Sequence, residues 1–363
     1  MINVKCTRCG VVNSLSNEIC KACGLELNSP APAGAGKGSR RNRSNRNFTK
    51  WRGLPVNTGA QDFRDAAVSN RIGAMYSAQI TRANPTCIIL LIDQSGSMGD
   101  PFSGDSARKK ADFVAEVVNH TLHDLVIRCT KTEEVRNYYH VSVIGYGRTV
   151  GTCFSGELGG RPIVPISQVA DYPLQVKSSY KRVSDGAGGW VEIPVRYPVW
   201  IHPSADGKTP MCEALGRVQD ILRGWLMEHP RGFPPTVLHL TDGESSDGDP
   251  NDIGRQIMSL GTDDGAVLLF NCHISTRRSA KIEYPTEEIS LPDGFARSLF
   301  EISSTLPTNF LAAAAQLGVN AVEGSRGFVF NGDPSSIVQF YEIGTSLTGM
   351  TPYRWMDDRT ELA

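Results

Sequence analysis

Three oxygen-bearing side chains at alternate positions follow an apolar run and form the most informative group in the chain. The run is Cys87–Ile92, and Asp93, Ser95 and Ser97 come directly after it. A carboxylate and two hydroxyls are hard oxygen donors, which suit Mg²⁺ or Mn²⁺ better than they suit softer metals. Because only one of the three donors is charged, further oxygen ligands must come from elsewhere in the chain.

Two later segments supply such donors. Asp242 follows a second short and mostly apolar segment, Val237–Thr241, that predicts a buried strand, and Thr209 precedes a segment whose apolar residues recur every three or four positions, as in an amphipathic helix. The loops beyond the carboxyl ends of the strands are where open α/β sheets place their ligands. We therefore expect Thr209 and Asp242, the latter in a surface loop, to complete the site.

Each residue also has an ordinary structural role open to it. Ser95 and Ser97 suit a turn, Thr209 suits the N-cap of a helix, and Asp242 suits a tight turn with the glycine after it. It is their joint occurrence, each at a strand end or a helix start, that favours a metal site.

Together these residues resemble the metal-ion-dependent adhesion site of the von Willebrand factor A family. The family pattern is Asp-x-Ser-x-Ser after the first strand, a Thr before a helix and an Asp after the fourth strand. The chain matches it in order at Asp93, Ser95, Ser97, Thr209 and Asp242. The resemblance extends over residues 85–350, and the Gly-x-Thr-Pro-Met and Leu-Thr-Asp-Gly-Glu segments read as they do in cytoplasmic and bacterial members.

The resemblance implies a doubly wound α/β fold, in which helices flank a mostly parallel central sheet. It also implies that Mg²⁺ or Mn²⁺ keeps one coordination position open for an acidic side chain of a protein partner. Such domains act as adaptors or scaffolds in intracellular multi-protein systems, including stress and defence systems, often with an AAA+ ATPase or with kinases and phosphatases.

Enzymatic alternatives lack the residues that they need. A haloacid-dehalogenase phosphatase begins with a similar strand and Asp, but it requires a second acid where this chain has Ser95. The sequence contains no Gly-x-Ser-x-Gly elbow and no phosphate-binding loop of the Gly-x-x-x-x-Gly-Lys-Ser/Thr type. We therefore expect binding and no catalysis.

Four cysteines near the amino terminus form a second predicted metal site. They stand in two Cys-x-x-Cys-Gly units, at Cys6, Cys9, Cys20 and Cys23. Four thiolates in paired knuckles suit tetrahedral Zn²⁺, and so short a segment needs the metal to fold. The separation of ten residues is shorter than usual for paired Cys-x-x-Cys units, but it resembles small zinc ribbons of bacterial multidomain proteins. A disulfide pair or a redox dithiol is the alternative.

A basic segment follows the predicted ribbon. Residues 37–52 carry seven basic side chains and no acidic one, after a stretch rich in Pro, Ala, Gly and Ser that is typical of a flexible linker. The candidate contacts to nucleic acid phosphates or to an acidic partner are Arg40, Arg41, Arg43 and Arg46. One interpretation is a solvated linker. The other is a nucleic-acid-associated factor, in which residues 1–55 bind nucleic acid and the larger domain assembles partners.

Composition favours a cytoplasmic protein without a membrane-spanning segment. The net charge is −1, and the sequence contains no run of 18 apolar residues. The five cysteines outside the paired units are odd in number and mostly lie in apolar patterns, as free thiols do in a reducing compartment.

Domain and element boundaries complete the prediction. The expected order is a zinc ribbon (1–27), a basic linker (28–55), a connecting segment (56–84), the A domain (85–350) and a tail (351–363). A proline-rich segment at about 155–206 predicts an insertion with one or two β-hairpins that lies beside the metal and shapes partner choice. Further expected elements are helices over 107–129 and 337–347 and strands over 141–146, 150–154, 266–270 and 327–330.

Overall fold

The computed structural model describes residues 3–5, 12–14, 75–102, 105–184, 189–274 and 280–346. Two compact units divide the chain, Met1–Gly59 and Ala60–Ala363. The predicted zinc ligands Cys6, Cys9, Cys20 and Cys23 and the basic residues Arg40, Arg41, Arg43 and Arg46 lie outside the described residues. The zinc site and the basic linker therefore stay predictions.

Strands and helices alternate through most of the larger unit. In chain order the strands are β1 (Asn3–Lys5), β2 (Val12–Ser14), β3 (Thr86–Asp93), β4 (Pro101–Phe102), β5 (Asp105–Lys109), β6 (Thr130–Lys131), β7 (Glu134–Val135), β8 (Tyr139–Tyr146), β9 (Val150–Thr152), β10 (Val164–Pro165), β11 (Gln175–Ser184), β12 (Trp190–Val199), β13 (Thr236–Thr241), β14 (Gly261–Thr262), β15 (Gly265–Ala266), β16 (Leu268–Ile274), β17 (Ile282–Glu283) and β18 (Phe328–Gly332). The helices are α1 (Lys110–Cys129), α2 (Ile166–Asp171), α3 (Met211–Glu228), α4 (Asn251–Ser259), α5 (Gly294–Glu301), α6 (Thr308–Gln316) and α7 (Pro334–Gly344). Short 3₁₀ helices span Gly96–Gly99 and Gly156–Leu158.

The central sheet is mixed and mostly parallel. Its strands follow the order β10-β8-β3-β13-β16-β18-β17, and β9 pairs with β8. The five inner strands, β8 to β18 in that order, run parallel to their neighbours, whereas β10, β9 and β17 are antiparallel. The carboxyl ends of β3 and β13 therefore lie side by side at one edge of the sheet.

Strand β3 is buried on both faces, which explains its uninterrupted apolar sequence. Ile88, Leu90 and Ile92 pack into one hydrophobic core with residues of α1, α2, α6 and α7. The alternate residues Ile89 and Leu91 pack into a second core with residues of α3, α4 and α5. Helices thus cover both faces of the sheet, and the predicted doubly wound α/β architecture is confirmed.

The proline-rich segment contains one long hairpin, as predicted. Strands β11 and β12 pair along ten residues each, from Gln175 opposite Val199 to Ser184 opposite Trp190. The chain directly after β12 is fastened to α1, because the Asn119 side chain accepts hydrogen bonds from the backbone of Trp200 (2.8 Å) and Ile201 (3.1 Å).

Several element boundaries differ from the prediction. Helix α1 begins at Lys110 and not at residue 107, because Asp105–Lys109 forms β5, a hairpin strand paired with β4. The strand expected over 266–270 runs from Leu268 to Ile274, and the last strand and closing helix are also shifted by a few residues. The closing helix starts early because Asp333 accepts the Ser336 backbone N–H (2.8 Å) as an N-cap.

The cysteines outside the predicted ribbon are all free, and three of them are buried. Cys87 and Cys272 lie in sheet strands and Cys129 ends α1, whereas Cys153 and Cys212 are partly exposed. Among the described residues, no helix combines the length and apolar character that a membrane span requires.

Candidate cation-binding site

Two adjacent strands place the two predicted carboxylates at the same edge of the sheet. Leu240 of β13 lies opposite Ile92 of β3 in the parallel register, and Asp93 is the next residue of β3. Asp242 follows the end of β13 directly. The sequence places an acid at each strand end, and the parallel pairing brings the two acids together.

Four of the five predicted residues form one connected hydrogen-bonded group. The Asp93 carboxylate accepts the backbone N–H of Ser95 through Oδ1 (2.8 Å). The hydroxyls of Ser95 and Ser97 are 3.0 Å apart, and the Ser97 hydroxyl donates to Oδ1 of Asp242 (2.7 Å). The loop after β3 therefore folds its hydroxyls towards the carboxylate that follows β13.

Thr209 lies in the loop that precedes α3, and its connection to the other four residues is indirect. The backbone of Gly96 donates to the carbonyl of Gly207 (3.0 Å), which ties the two loops together. Thr209 N–H donates to the Ser246 hydroxyl (3.1 Å), and Ser246 N–H donates back to the Thr209 carbonyl (2.9 Å). Thr209 is not an N-cap, since Pro210 holds the N-cap position of α3. The alternative role that the sequence left open for Thr209 is therefore wrong.

The Asp93 carboxylate is buried close to a second carboxylate. Burial raises the pKa of Asp93 to about 6, hydrogen bonds from Ser95 and Thr241 oppose that rise, and the charge of Asp242 adds to it. The Thr241 hydroxyl donates to Oδ2 of Asp93 (2.8 Å). Two acids that share a desolvated site repel each other when both are charged, and a cation between them would relieve that repulsion.

The Asp242 side chain is more buried than the sequence predicts. It was expected in a surface loop, and its main chain is partly exposed, but the side chain is fully covered. Lys110 explains the difference: its ammonium lies 2.5 Å from Oδ2 of Asp242, and only 5% of the lysine side chain is exposed. A buried carboxylate is stable in this position because it has a buried positive partner.

The donor set fits a hard divalent cation. Carboxylate and hydroxyl oxygens of Asp93, Ser95, Ser97 and Asp242 converge, and their chemistry suits Mg²⁺ or Mn²⁺. The part of the chain that the structure describes contains no cluster of three or more His, Cys, Asp or Glu side chains arranged to hold a metal. Any cation here would therefore depend on the serine hydroxyls as well as on the two acids.

Sequence reasoning missed two residues that contact these acids. Thr241 stands beside Asp242 in the sequence, so the motif contained it, but nothing assigned its hydroxyl to Asp93. Lys110 belongs to a basic triplet, Arg108-Lys109-Lys110, that carries no distinguishing pattern. Its contact with Asp242 depends on where α1 begins, and this becomes visible only in the folded chain.

Some of the acids after Asp242 have structural tasks. Both oxygens of Asp247 accept backbone N–H groups at the start of α3, from Cys212 (3.0 Å) and Glu213 (2.9 Å). These bonds lower the pKa of Asp247, although its burial acts in the opposite direction. Asp249 accepts the backbone N–H of Asn251 at the start of α4 (2.9 Å). Acids at helix N-termini are favourable there without any cation.

A buried polar chain lies beneath the site. The Tyr146 hydroxyl and His239 Nε2 are 2.7 Å apart, and His239 Nδ1 lies 2.8 Å from the Asn271 amide oxygen. Burial lowers the pKa of His239 to about 4, so the imidazole is neutral at pH 7. His239 is thus a hydrogen-bonded core residue.

Comparison with known proteins gives low similarities only. No protein-family model matches the chain, and no curated protein matches it in sequence. Among solved structures, the paralog VWA2 of ArnB from Sulfolobus acidocaldarius is 13% identical, with a TM-score of 0.28 over 53% of this chain and 35% of that one. The von Willebrand-type domain of the type V pili tip protein Mfa5 from Porphyromonas gingivalis is 11% identical, with a TM-score of 0.25 over 45% of this chain and 39% of that one.

The pilus adhesin RrgA from Streptococcus pneumoniae is 15% identical, with a TM-score of 0.25 over 47% of this chain and 22% of that one. The chain therefore matches less than half of the length of each of these relatives. The fold described above rests on the observed strand order and pairing.

Proposed function

We propose that this chain is a non-enzymatic protein-binding module of the von Willebrand A type whose binding depends on a divalent cation. Asp93, Ser95, Ser97, Thr209 and Asp242 would hold Mg²⁺ or Mn²⁺. The observation that carries the proposal is the hydrogen bond between Ser97 and Asp242, because it joins the oxygen donors that follow two adjacent strands.

The exposure of the site supports a binding role. Asp93 and Ser95 are buried, whereas Ser97 and Gly96 are exposed at the same edge of the sheet. A cation held from below by the buried donors would therefore keep one side accessible to a partner. When bound, the cation supplies a Lewis-acidic position that an acidic side chain of another protein can fill.

The biological role follows from the resemblance to cytoplasmic and bacterial members of the family. We infer an adaptor or scaffold in an intracellular multi-protein system, with an AAA+ ATPase or a kinase and phosphatase pair as the expected class of partner. A hydrogen bond between the end of the insertion and the loop after β3 supports a role of the insertion in partner choice: Asp206 N–H donates to the Gln94 carbonyl (2.7 Å).

Calorimetric titration with Mg²⁺ tests the cation site directly. We expect one Mg²⁺ per wild-type chain at this site, and binding weaker by at least about tenfold in Ser97→Ala and Asp242→Asn, because each change removes an oxygen donor or its charge. Asp242→Asn keeps the side-chain volume beside Lys110. Asp252→Asn is the matched control, because Asp252 is 87% exposed and pairs with Arg255 outside the site.

Partner capture tests the rest of the proposal. Wild-type protein should retain partners in Mg²⁺ and release them in chelator, and Ser97→Ala should retain fewer while Asp252→Asn retains as many as wild type. Mg²⁺ binding that is equal in wild type, Ser97→Ala and Asp242→Asn would remove the site. Capture of partners that persists in chelator would mean that they dock on a surface other than the proposed cation site.

A further inference from the structure

Lys110 is the charged residue at the site whose role the proposed function leaves open. It is the first residue of α1, and its backbone N–H donates to the Asp100 carbonyl (3.1 Å) at the end of the loop between β3 and β4 (residues 94–100), which we call the serine loop. Its ammonium donates to Oδ2 of Asp242 at 2.5 Å. The exposed fractions of the two side chains are 5% and 0%, so this ion pair is shielded from water.

The two oxygens of Asp242 are occupied by different partners. Oδ1 accepts the Ser97 hydroxyl (2.7 Å) on the side of the candidate cation site, and Oδ2 accepts the Lys110 ammonium. This division fixes the rotation of the carboxylate and presents one chosen oxygen to the serine loop. Groups that hold a ligating carboxylate from behind are known to tune metal binding.

A cation on Oδ2 would share that oxygen with an ammonium. Two positive charges on one oxygen in a desolvated site repel strongly, because little water is present to screen them. A cation on Oδ1 lies farther from the ammonium and meets no such competitor. Asp242 can therefore act as a ligand through one oxygen, directly or through water, and not through both.

We propose that Lys110 makes the site selective for Mg²⁺ or Mn²⁺ over Ca²⁺ by restricting Asp242 to single-oxygen coordination. Mg²⁺ takes a compact octahedral shell in which carboxylates bind through one oxygen, whereas Ca²⁺ takes six to eight ligands and gains from bidentate carboxylates. This inference rests on the proposed function, because it assumes that a divalent cation binds at the site.

A competing role for Lys110 would be to occupy the cation's place and leave when the cation arrives. Its burial argues against departure, because an ammonium that leaves Asp242 without reaching water would be buried and unpaired. The two roles predict different measurements. A competitor weakens all divalent cations alike, whereas a positioning residue changes the ratio between Ca²⁺ and Mg²⁺.

Titration of the full chain with Mg²⁺ and with Ca²⁺ separates these roles. Both are hard cations that prefer oxygen ligands, so the amino-terminal thiolates do not interfere. Lys110→Met removes the ammonium and keeps much of the chain volume, and we expect the affinity ratio of Ca²⁺ to Mg²⁺ to rise by at least about tenfold, because Asp242 becomes free to bind through both oxygens. Lys110→Arg keeps a charged donor and should keep the wild-type preference.

A second measurement uses the wild-type protein, so its outcome does not depend on whether a Lys110 variant folds. Amine acetylation of the wild-type protein, read by mass spectrometry, should leave Lys110 protected both in Mg²⁺ and in chelator, with exposed Lys109 as the reactive internal standard. Labelling of Lys110 that increases when Mg²⁺ binds would mean that the ammonium leaves Asp242, and this would overturn the proposal.

The possible failures are distinguishable. Wild-type protein that binds neither Mg²⁺ nor Ca²⁺ would contradict the proposed function itself. Wild-type protein that binds Mg²⁺, with a ratio of Ca²⁺ to Mg²⁺ that is unchanged in folded Lys110→Met, would leave the proposed function standing and overturn only the role of Lys110.

Discussion

Asp93 is the residue at which protonation would compete with the proposed cation. Its pKa lies at about 6 in the folded chain, above the ordinary value of 3.8, and burial is the main cause. Between these two values the folded chain holds a proton that the unfolded chain has released. The free energy of unfolding therefore falls as pH rises through this window. The full destabilisation from an ionised, buried Asp93 is present above pH 6.

The first prediction is that Mg²⁺ affinity falls as the solution becomes more acidic than pH 6. A cation needs the charged carboxylate, so a proton on Asp93 must be released first, and the affinity at pH 5 should be about tenfold lower than at pH 7. Calorimetric titration at both pH values measures this. Asp93→Asn, which mimics the protonated acid, should bind Mg²⁺ weakly and equally at both. Equal wild-type affinity at pH 5 and pH 7 would contradict the role of Asp93.

The acids and serines of the site could be predicted because their information is local. Asp93, Ser95 and Ser97 follow a recognisable strand, and Asp242 follows another, so the parallel sheet alone brings them together. Lys110 could not be predicted in the same way, because nothing in its basic triplet marks Asp242 as its partner. It also depends on the β4–β5 hairpin, which delays the start of α1.

At the scale of elements, the loop that leads into α3 is fastened to the serine loop at Gly207. This glycine has a φ of +91°, and a Cβ atom there would lie 2.4 Å from the backbone nitrogen of Arg148. Its carbonyl accepts the hydrogen bond from Gly96. The position therefore needs glycine both for its backbone conformation and for the close approach of the β8–β9 turn.

The second prediction concerns Gly207→Ala. The added methyl group must push the loop away from Arg148, so we expect weaker Mg²⁺ binding together with a loss of roughly 1–3 kcal/mol in the free energy of unfolding. Denaturant unfolding and calorimetric titration measure the two effects. Gly160→Ala is the matched control, because Gly160 also has a positive φ (+73°) but no atom lies within 4 Å of its Cβ position. It should lose stability and keep its Mg²⁺ affinity.

Elements were predictable where one apolar period ran through them. The buried strand β3 after Pro85 and an amphipathic helix after Thr209 are predicted by their apolar patterns, and both are observed there, because burial imposes these patterns. The strand expected over 266–270 was misplaced because its apolar run includes Ala266, which pairs with Gly261 in a separate small hairpin. The apolar run over 266–270 indicates that these residues are buried, but it does not indicate with which strand each of them pairs.

At the scale of the whole chain, the sequence carries two sets of charges that would suit two different modes of binding. The acids and hydroxyls of the larger unit suit a cation and an acidic partner, whereas residues 37–52 carry seven bases and suit phosphates. The alternating strands and helices made the larger unit's architecture predictable. The two charge sets lie in different units of the chain, so they can be altered separately.

The third prediction separates the proposed function from its nucleic-acid alternative. We expect a variant with Arg40, Arg41, Arg43 and Arg46 all changed to Gln to keep its Mg²⁺-dependent capture of protein partners, because the residues of the proposed cation site lie in the other unit of the chain. The alternative instead requires the full chain to bind duplex DNA. About seven phosphate contacts would give a log–log salt slope of roughly −6, and the loss of four of them would reduce it to roughly −3. Fluorescence anisotropy over a salt series measures both slopes.

DNA binding with these slopes, together with loss of protein capture in the arginine variant, would favour the nucleic-acid factor. Capture that survives in the variant and fails in chelator would favour the cation-dependent module.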